Sequence, residues 1–380
     1  MKIFNKNEWK KVKLEDICDI LDSKRIPISE EKRIKGEYPY YGANGIQGYI
    51  NDYIFDEELI LLAEDGGNFG SKTKPIAYKI NGKTWVNNHA HVLKAKNEII
   101  STDFLLYSLM FYDVTKLIAG TTRKKLTRKG MEKISLLIPN LDVQDKITNY
   151  LKKIENFISF RKNQLNYLKE LAKSLFRFQF FSSGKNFQKK KLKDNIIEMF
   201  IGPFGSDLKN EIFVDKEKGY CMVYEQRHAI KRLIDNDVRY ITKEKYESLK
   251  RFKVEGGDII VSCRGTIGKI YALPNDAEFG IIHSSLMKIK LKKDKYNNTF
   301  FEKLLEKYMQ ENIYSTQGSS IKMAITAKKL SEEYFIIPPI ELQNKFAERI
   351  EKIEKLSFEI ENSIKEAENL YNSLMNKYFE

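Results

Sequence analysis

The chain has 380 residues, of which 42% are hydrophobic and 12% aromatic; this composition excludes a disordered chain and allows two or three globular domains. Lysine and arginine number 66 against 52 aspartates and glutamates, and the net charge of +14 favours a polyanionic partner, although default use of surface lysine would give the same excess. Three widely spaced cysteines indicate neither a disulfide framework nor a zinc site.

The first part of the chain predicts a body of short strands and helices at residues 1–140. Its β-like runs are separated by turn signals at 44–45, 65–67 and 81–82, where Asn-Gly and Asp-Gly-Gly interrupt apolar stretches. A helical segment, FLLYSLMFYDVTKLI, closes this body, and a Gly-Thr-Thr loop and the strand ISLLIP follow. The body therefore mixes strands with short helices.

A long helix is predicted at residues 141–181. Apolar residues recur at alternating spacings of three and four, with Arg161 as the interruption, which is typical of a coiled-coil seam. The seam residues of this first helix are Ile147, Leu151, Ile154, Ile158, Leu165, Leu168 and Leu175.

The second part of the chain repeats this order. A polar linker at 182–191 leads into a second body at 187–337, which is strand-like around glycine turns, and a second long helix follows at 338–380. The seam residues of this helix are Ile350, Ile353, Ile360, Ile364 and Leu374.

The two long helices are copies of one another. Residues 139–181 and 338–380 align without a gap, 199 positions apart, so that Pro139 matches Pro338 and Gln144 matches Gln343. A seam this long needs a partner helix, and the other copy is the simplest one; helix one leads away from the first body and helix two returns from the second, which predicts antiparallel pairing. Packing of each helix on its own body, or pairing between two chains, would also bury a seam.

Catalytic motifs are missing from the sequence. The pattern G-x-x-x-x-G-K-[ST] fails at Gly82-Lys83-Thr84 because Ala77 occupies the first glycine position. His89 and His91 would share one face of a strand, but no cysteine or carboxylate at a known metal spacing accompanies them, so structural hydrogen bonding or nucleic-acid contact explains them better. We expect no metal, no cofactor and no catalytic residue. With no uninterrupted apolar run of about 20 residues and no apolar signal core, we expect a soluble cytoplasmic protein.

The whole chain resembles the specificity subunit of type I restriction–modification systems. The run YPYYGANGIQGYI with LLAEDG and WVNNHAHVLK is similar to one class of that family's target-recognition domain, and GDIIVSCRGTIGKI with HSSLMKIK is similar to another. The resemblance implies an α+β fold of two target-recognition domains separated by two long antiparallel coiled-coil helices, a pseudo-twofold duplication. It also implies a non-catalytic subunit in which each domain reads one half of a bipartite site in double-stranded DNA and the helices fix the spacer. The implied partners are two DNA adenine methyltransferase subunits per chain, which a translocating nuclease subunit can join.

Readout of DNA needs donors and acceptors for base edges and cations for phosphates. The Gly-Thr/Ser loop that recurs before each strand–helix junction fits this role, although an exposed basic turn would look the same. The predicted DNA contacts of the first body are Lys24, Arg25, Tyr41, Asn44, Gln47, Lys72, Lys74, His89, Thr121, Thr122, Arg123, Lys124 and Lys125. Those of the second body are Ser206, Arg227, His228, Arg264, Thr266, Ser284, Gln317, Ser319, Ser320 and Lys322.

Because the two bodies differ strongly in sequence, we expect unlike half-sites and a non-palindromic target. Two other classes remain open: a coiled-coil scaffold whose bodies bind proteins, and a nucleic-acid enzyme with a divergent site. The sequence also leaves open whether the subunit serves restriction or methylation only.

Overall fold

The computed structural model describes residues 5–120, 124–182, 184–232, 234, 238–312 and 326–379. The chain divides into two compact units, of which unit 1 is Met1–Gln164 with Ile360–Glu380 and unit 2 is Leu165–Glu359. The division crosses both long helices, because each half of each helix packs into the core of one unit.

Unit 1 is built from short strands and helices that precede the first half of a long helix. Side-chain hydroxyls cap the N-termini of two of these helices: Ser101 accepts a hydrogen bond from the Phe104 N–H, and Thr127 accepts one from the Gly130 N–H. In chain order the elements are β1 (Lys10–Lys13), α1 (Leu14–Ile17), β2 (Cys18–Ile20), β3 (Tyr38–Gly42), β4 (Gly45–Ile50), β5 (Phe55–Asp56), β6 (Leu59–Ala63), β7 (Ala77–Ile80), β8 (Lys83–Val86), β9 (Ala90–Ala95), α2 (Thr102–Met110), α3 (Arg128–Met131), β10 (Ser135–Ile138) and α4 (Leu141–Phe181).

Unit 2 follows the same plan, with an additional helix in two of its connections. The described elements are β11 (Lys189–Lys191), β12 (Ile196–Ile201), β13 (Cys221–Tyr224), α5 (Gln226–Lys231), β14 (Tyr240–Ile241), α6 (Lys243–Leu249), β15 (Lys253–Val254), β16 (Ile259–Ser262), β17 (Ile270–Ala272), β18 (Gly280–Ile282), β19 (Leu286–Leu291), α7 (Asn298–Asn312), α8 (Ala327–Glu332), β20 (Tyr334–Ile336) and α9 (Ile340–Phe379).

The sheets of the two units have the same strand order. Unit 1 contains β2-β9-β6-β7, β4-β3-β8-β5 and β1-β10, and unit 2 contains β12-β19-β16-β17, β14-β13-β18-β15 and β11-β20. Each unit also has a parallel pair at the matching place, β3 with β8 and β13 with β18. The duplication seen in the helix sequences therefore extends to the topology of bodies whose sequences differ.

Apolar strands and helices form the core of each unit. Strand β6, with the sequence LILLA, is buried at every position, so both faces of its sheet are covered. In unit 1 the end of α9 completes the core, where the ring of Trp9 stacks on Tyr378 at 6.1 Å and Phe104 packs on Phe379 at 5.1 Å. The C-terminal end of α9 is thus part of the hydrophobic core of unit 1.

Two contacts give the direction of the long helices in unit 1. Glu155 of α4 accepts a hydrogen bond from the Tyr371 hydroxyl of α9 at 2.8 Å, and Lys162 of α4 pairs with Glu368 of α9 at 2.8 Å. The partner of the later α4 residue, Lys162, is the earlier α9 residue, Glu368, so the two segments are antiparallel, as the sequence predicts.

The helix segments in unit 2 run the same way. Phe346 near the start of α9 packs between Phe176 and Phe180 near the end of α4, with ring centroids at 5.6 and 5.3 Å, and Gln179 Nε2 donates to the Leu342 carbonyl at 3.0 Å. The fold is therefore α+β with two bodies of mixed strands and short helices and two long antiparallel helices, which confirms the predicted fold class.

The predicted seam residues all lie on the covered sides of their helices. The side chains divide into two groups by exposure: Ile147, Leu151, Ile350, Ile360, Ile364 and Leu374 are buried, and Ile154, Ile158, Leu165, Leu168, Leu175 and Ile353 are half-buried. Five of the six half-buried residues belong to α4.

Candidate nucleic-acid interface

Unit 1 brings several polar side chains together where the parallel strands β3 and β8 end. The Asn87 N–H donates to the Tyr41 carbonyl at 3.0 Å and ties the two strand ends together. The Asn87 side chain donates from Nδ2 to Gln47 Oε1 at 3.0 Å and accepts from the His89 N–H at 2.8 Å. The edge therefore carries a connected set of amides beside an exposed hairpin.

The loop that follows β6 is tied to the same edge. Asn44, in the hairpin turn, donates from Nδ2 to the Gly66 carbonyl at 2.8 Å, and His89 Nδ1 bonds the Asp65 carboxylate. Gly66 has a φ of +64°, which favours glycine at this sharp turn. Asn44 and His89, predicted from sequence to contact DNA, thus lie in one polar cluster with Gln47.

Unit 2 has the same backbone frame at its corresponding edge. The His283 N–H donates to the Tyr224 carbonyl at 2.8 Å, as Asn87 does in unit 1, and the Cys263 N–H donates to the Ser285 carbonyl at 2.9 Å. Gly265 turns the following loop with a φ of +64°. The same scaffold therefore presents different side chains in the two units.

The side chains on the unit 2 edge form hydrogen bonds and ion pairs around Glu225. Gln226 Nε2 donates to the carbonyls of Arg264 and Thr266 at 2.6 and 3.0 Å, which holds the loop after β16. Glu225 binds the Arg239 guanidinium and also lies 3.3 Å from an Arg227 nitrogen. Burial would raise the pKa of Glu225, but the hydrogen bond and charge of Arg239 more than offset it, so the pKa lies below its usual range.

His283 also belongs to this edge. Burial lowers the pKa of the ring, which favours the neutral form, and Nδ1 lies 2.9 Å from Ser285 Oγ. A neutral ring accepts at one nitrogen and donates at the other, so His283 has the hydrogen-bonding capacity that base-edge recognition requires.

A buried ionic cluster lies beneath the unit 1 edge. Arg25 Nη1 is 2.5 Å from Glu64 Oε2 and Nη2 is 3.4 Å from Asp22 Oδ2, while Lys125 Nζ is 2.9 Å from Glu64 Oε1. His91 joins the cluster with Nδ1 at 2.6 Å from Asp22 Oδ2. Arg25 and Lys125, predicted as DNA contacts, therefore both form ion pairs with Glu64; the Arg25 side chain is 13% exposed and the Lys125 side chain 42%.

The cluster fits an ion-pair network better than a metal centre. Ligand atoms of Asp22, Glu64 and His91 lie within 4.8 Å of one another, close enough to share an ion. Arg25 and Lys125, however, already occupy carboxylate oxygens that a cation would need. Burial would raise the pKa of Glu64, but hydrogen bonds from Arg25 and Lys125 hold it below its usual range, as expected for a carboxylate that stays charged.

The remaining predicted residues of unit 1 lie in different settings. Lys72, Lys74 and Lys124 are exposed in loops, and Lys24 is exposed at the end of a 3-10 helix, Asp22–Lys24. Tyr41 is half-buried with its ring 5.9 Å from Tyr78. The lysines have the surface position of phosphate contacts, whereas the Tyr41 side chain is partly used in packing.

In unit 2, Ser206, Arg264 and Thr266 are exposed, but two predicted contacts are buried. His228 is 1% exposed, and its Nδ1 accepts the Glu225 N–H at 2.9 Å in the cap of α5. Ser284 is 6% exposed in the loop between β18 and β19. We correct the expectation for both residues, because helix capping and loop packing turn these side chains inward.

Seven of the predicted contacts lie outside the described residues, and the recurring Gly-Thr/Ser loop falls mostly among them: Thr121, Thr122, Arg123, Gln317, Ser319, Ser320 and Lys322.

Sequence reasoning missed Asn87, Gln226, Arg239 and His283. A signal for the shared edge exists, because LILLAEDG before Gly67 and DIIVSCRG before Thr266 repeat at the same spacing of 199 residues as the long helices. No local pattern marks Asn87 as the partner of Gln47, since the two are 40 positions apart.

Comparisons with known proteins agree on one family. A family model described as the type I restriction modification DNA specificity domain matches residues 6–170 and 178–368. A Haemophilus influenzae protein named as a type I restriction enzyme specificity subunit is 29% identical over 266 residues, 69% of this chain and 66% of that protein. A Methanocaldococcus jannaschii type I restriction enzyme specificity subunit is 25% identical over 381 residues, 92% of this chain and 87% of the relative.

The fold also matches a solved structure. The crystal structure of the type I restriction–modification system S subunit from M. genitalium superposes with a TM-score of 0.62 at 15% identity, covering 100% of this chain and 98% of that one. Among the described residues, no helix is long and apolar enough to cross a membrane.

Proposed function

The chain belongs to the type I restriction–modification DNA specificity family, and from this premise we propose that it reads a bipartite, asymmetric site in double-stranded DNA, one half-site with each unit. The observation that carries the proposal is the repeated edge: one backbone frame occurs in both units and presents a different set of hydrogen-bonding side chains in each. Two similar modules with different chemistry are what a split, non-palindromic target requires.

The differences at matched positions support unlike half-sites. The residue before the turn glycine is Asp65 in unit 1, before Gly66, and Arg264 in unit 2, before Gly265. At the end of the parallel pair, unit 1 has Asn87 where unit 2 has His283. A carboxylate, a guanidinium, an amide and an imidazole offer different donors and acceptors, so they favour different bases.

The proposed contacts are the accessible residues around these edges. We assign base-edge roles to the amide, imidazole and guanidinium groups and phosphate roles to the exposed lysines. In unit 1 these residues are Lys24, Asn44, Gln47, Lys72, Lys74, His89 and Lys124, and in unit 2 they are Ser206, Gln226, Arg227, Arg264, Thr266 and His283.

The chain itself acts without catalysis, and its proposed partners are two methyltransferase subunits, to which a translocating nuclease subunit can be added. Support comes from aromatic side chains on the long helices that neither unit covers: Tyr167 is 75% exposed, Phe178 72% and Phe358 64%. Such exposed apolar surface is typical of protein interfaces.

The two units also have clefts at matching places. In unit 2 a cavity of about 370 Å³ is lined by Ala172 and Phe176 of α4 and by α7, and in unit 1 a cavity of about 530 Å³ is lined by Tyr371 and Met375 of α9 and by α2. Ala172 and Phe176 of α4 correspond to Tyr371 and Met375 of α9 across the 199-residue repeat. Two copies of one partner could therefore bind, one at each cleft.

Copurification from the source cell with methylation mapping of its DNA tests the proposal. We expect an adenine methyltransferase at about two copies per chain and a methylated motif with two unlike parts around an unread spacer. Deletion of the gene for this chain should abolish methylation of that motif. Recovery without a methyltransferase, together with no sequence-dependent DNA binding, would instead support the scaffold interpretation.

A further inference from the structure

Gln47 is an exposed side chain that the protein nevertheless holds in one place. Its Oε1 accepts from Asn87 Nδ2 at 3.0 Å, while Asn87 itself is only 3% exposed. Glutamine has one of the larger side-chain entropies to lose on immobilisation, and an exposed position gains little stability from it. Fixing such a residue is what a recognition site needs, because contacts must be held in their productive geometry.

The surroundings determine which end of the Gln47 amide is held. Asn87 Oδ1 accepts from the His89 N–H at 2.8 Å, which orients the Asn87 amide so that its Nδ2 faces Gln47. A donor on Asn87 requires the oxygen of Gln47 as its acceptor. The Nε2 group of Gln47 is therefore the free end, and it has no acceptor among the described residues.

Strand β3 provides the space for this arrangement. A Cβ placed on Gly42 would lie 2.3 Å from Gln47 Nε2 and 2.5 Å from its Cδ, so the amide rests against the Gly42 backbone and a side chain there would displace it. Gln47 is thus confined by Asn87 at its oxygen and by Gly42 along the amide.

A glutamine with both amide ends free can bind adenine in a bidentate manner, donating to N7 and accepting from the N6 amine. With its oxygen turned to Asn87, Gln47 keeps the two donors of Nε2 without a partner among the described residues, and donors match N7 or O6 of guanine, N7 of adenine and O4 of thymine. We propose that Gln47 reads a hydrogen-bond acceptor on a base edge, and that Asn87 is the positioning residue that sets this donor polarity. The inference rests on the proposed DNA-reading function and identifies the chemistry of one contact within it.

The unit 2 edge shows the opposite arrangement of the same residue type. Gln226 uses its Nε2 internally, to hold the carbonyls of Arg264 and Thr266, and so keeps its oxygen available. The neighbours of each glutamine therefore determine which end of its amide, the oxygen or the nitrogen, is left to contact a ligand.

The test is the base preference of the complex between the full chain and its methyltransferase. Affinity is measured for duplexes that carry each base at every position of the unit 1 half-site, for the wild type, Gln47→Glu and Asn87→Asp. Gln47→Glu removes the donors, and we expect a loss of about tenfold or more that is confined to one position. At that position, replacing a purine by its 7-deaza analogue or thymine by an analogue lacking O4 should cause a similar loss in the wild type only.

Asn87→Asp is the decisive variant. An aspartate can still accept from the His89 N–H, but it turns the Gln47 amide so that Nε2 faces inward and Oε1 outward. The preference at the same position should then move towards adenine or cytosine, whose exocyclic amines donate, by about tenfold in relative affinity. Asn51→Asp, exposed near the end of β4, adds the same charge and should leave the preference unchanged.

Unchanged base preference in both Gln47→Glu and Asn87→Asp, with both variants folded, would overturn the inference. A uniform loss of affinity on all sequences would do the same, because it would show a structural role only. A wild-type complex without any base preference would overturn the proposed function, and this inference with it.

Discussion

Gln343 repeats the hydrogen bonds of Gln144 in the other unit. Gln144 Nε2 donates to the Ile99 and Pro139 carbonyls, both at 2.9 Å, and Oε1 accepts from the Ser101 N–H at 2.9 Å. Gln343 Nε2 likewise donates to the carbonyls of Lys295 and Pro338 at 2.9 and 2.8 Å, and Oε1 accepts from the Asn297 N–H at 2.9 Å. Each glutamine joins the start of a long helix to the segment that begins α2 or α7.

Replacement of Gln144 by alanine should lower the free energy of unfolding by about 2–4 kcal/mol, because one N–H and two carbonyls would lose their partner in a site closed to water. Gln343→Ala should have a similar effect in unit 2. Urea denaturation followed by circular dichroism measures both. Gln310, exposed on α7, is the control, and Gln310→Ala should stay within about 0.5 kcal/mol of the wild type. An equal loss of unfolding free energy in all three variants would contradict the stabilising role assigned to the hydrogen bonds of Gln144 and Gln343.

The ionic cluster of unit 1 should make its stability depend on pH. Burial alone would raise the pKa of Asp22, but the hydrogen bond and charge of His91 outweigh it and lower the pKa. A carboxyl with a lowered folded pKa stabilises the protein above its unfolded pKa of about 3.9, and the contribution is lost as the pH falls through the folded pKa.

Asp22→Asn should therefore cost about 3–5 kcal/mol at pH 7, since it removes one partner from a buried charge network. The difference from the wild type should begin to narrow below about pH 4, where the unfolded carboxyl takes up a proton, and should be lost as the pH falls through the lower pKa of the folded carboxyl. Denaturation at a series of pH values measures this difference, with exposed Asp276→Asn as the control. A difference that is independent of pH would count against the cluster as its source.

Arg264 should contribute to DNA binding without contributing to stability, because its side chain is exposed and only its backbone carbonyl is held, by Gln226. Arg264→Ala should reduce affinity by about 1–3 kcal/mol for particular sequences if it contacts a base. If it contacts a phosphate, the loss should be similar on all sequences and the salt slope should fall by about one.

Affinity measured between low and moderate salt distinguishes these outcomes. Lys345→Ala, exposed on α9 in the same unit, is the matched control for loss of one positive charge. An Arg264→Ala variant that binds like this control would exclude Arg264 from the interface.

The long helices should set the spacer of the DNA site. Insertion of one heptad after Gln164 in α4 and of another after Glu359 in α9 preserves the 3.5-residue repeat and lengthens each helix by about 10 Å. The spacer should grow by about three base pairs, at 3.4 Å each, while both half-sites stay the same. Methylation mapping reads both quantities at once, and a changed half-site with an unchanged spacer would refute the assignment.

Part of this architecture was open to prediction because it is local. The spacing of apolar residues in α4 and α9 follows the helical period, and the 199-residue repeat makes the pairing of the two helices the simplest way to bury both seams. The fold class and the family followed from these same segments. Asn44, Gln47 and His89 were predicted as DNA contacts because their residue types suit base recognition, and the structure brings them into one polar cluster.

Several predicted contacts have partners that lie far away in the chain, which the sequence does not show. Arg25 and Lys125 looked like free cations, but Glu64 binds both, and it is 39 positions from the first. His228 looked like a donor for DNA, but its imidazole completes the cap of α5 and is buried. The charge of a residue can be read from the sequence, whereas the partner that neutralises it cannot.

The two long helices and their duplication follow from the sequence alone, because periodicity and repetition can be read along the chain; the sequence favoured antiparallel pairing, and contacts such as Tyr371 with Glu155 established it. The common strand order of the two bodies became visible only in the folded structure, since strand pairing joins segments far apart and many sequences satisfy the same pattern of burial. The tertiary structure also decided the polarity of Gln47, because a glutamine can present either end of its amide until Asn87 and the His89 N–H fix which one is held.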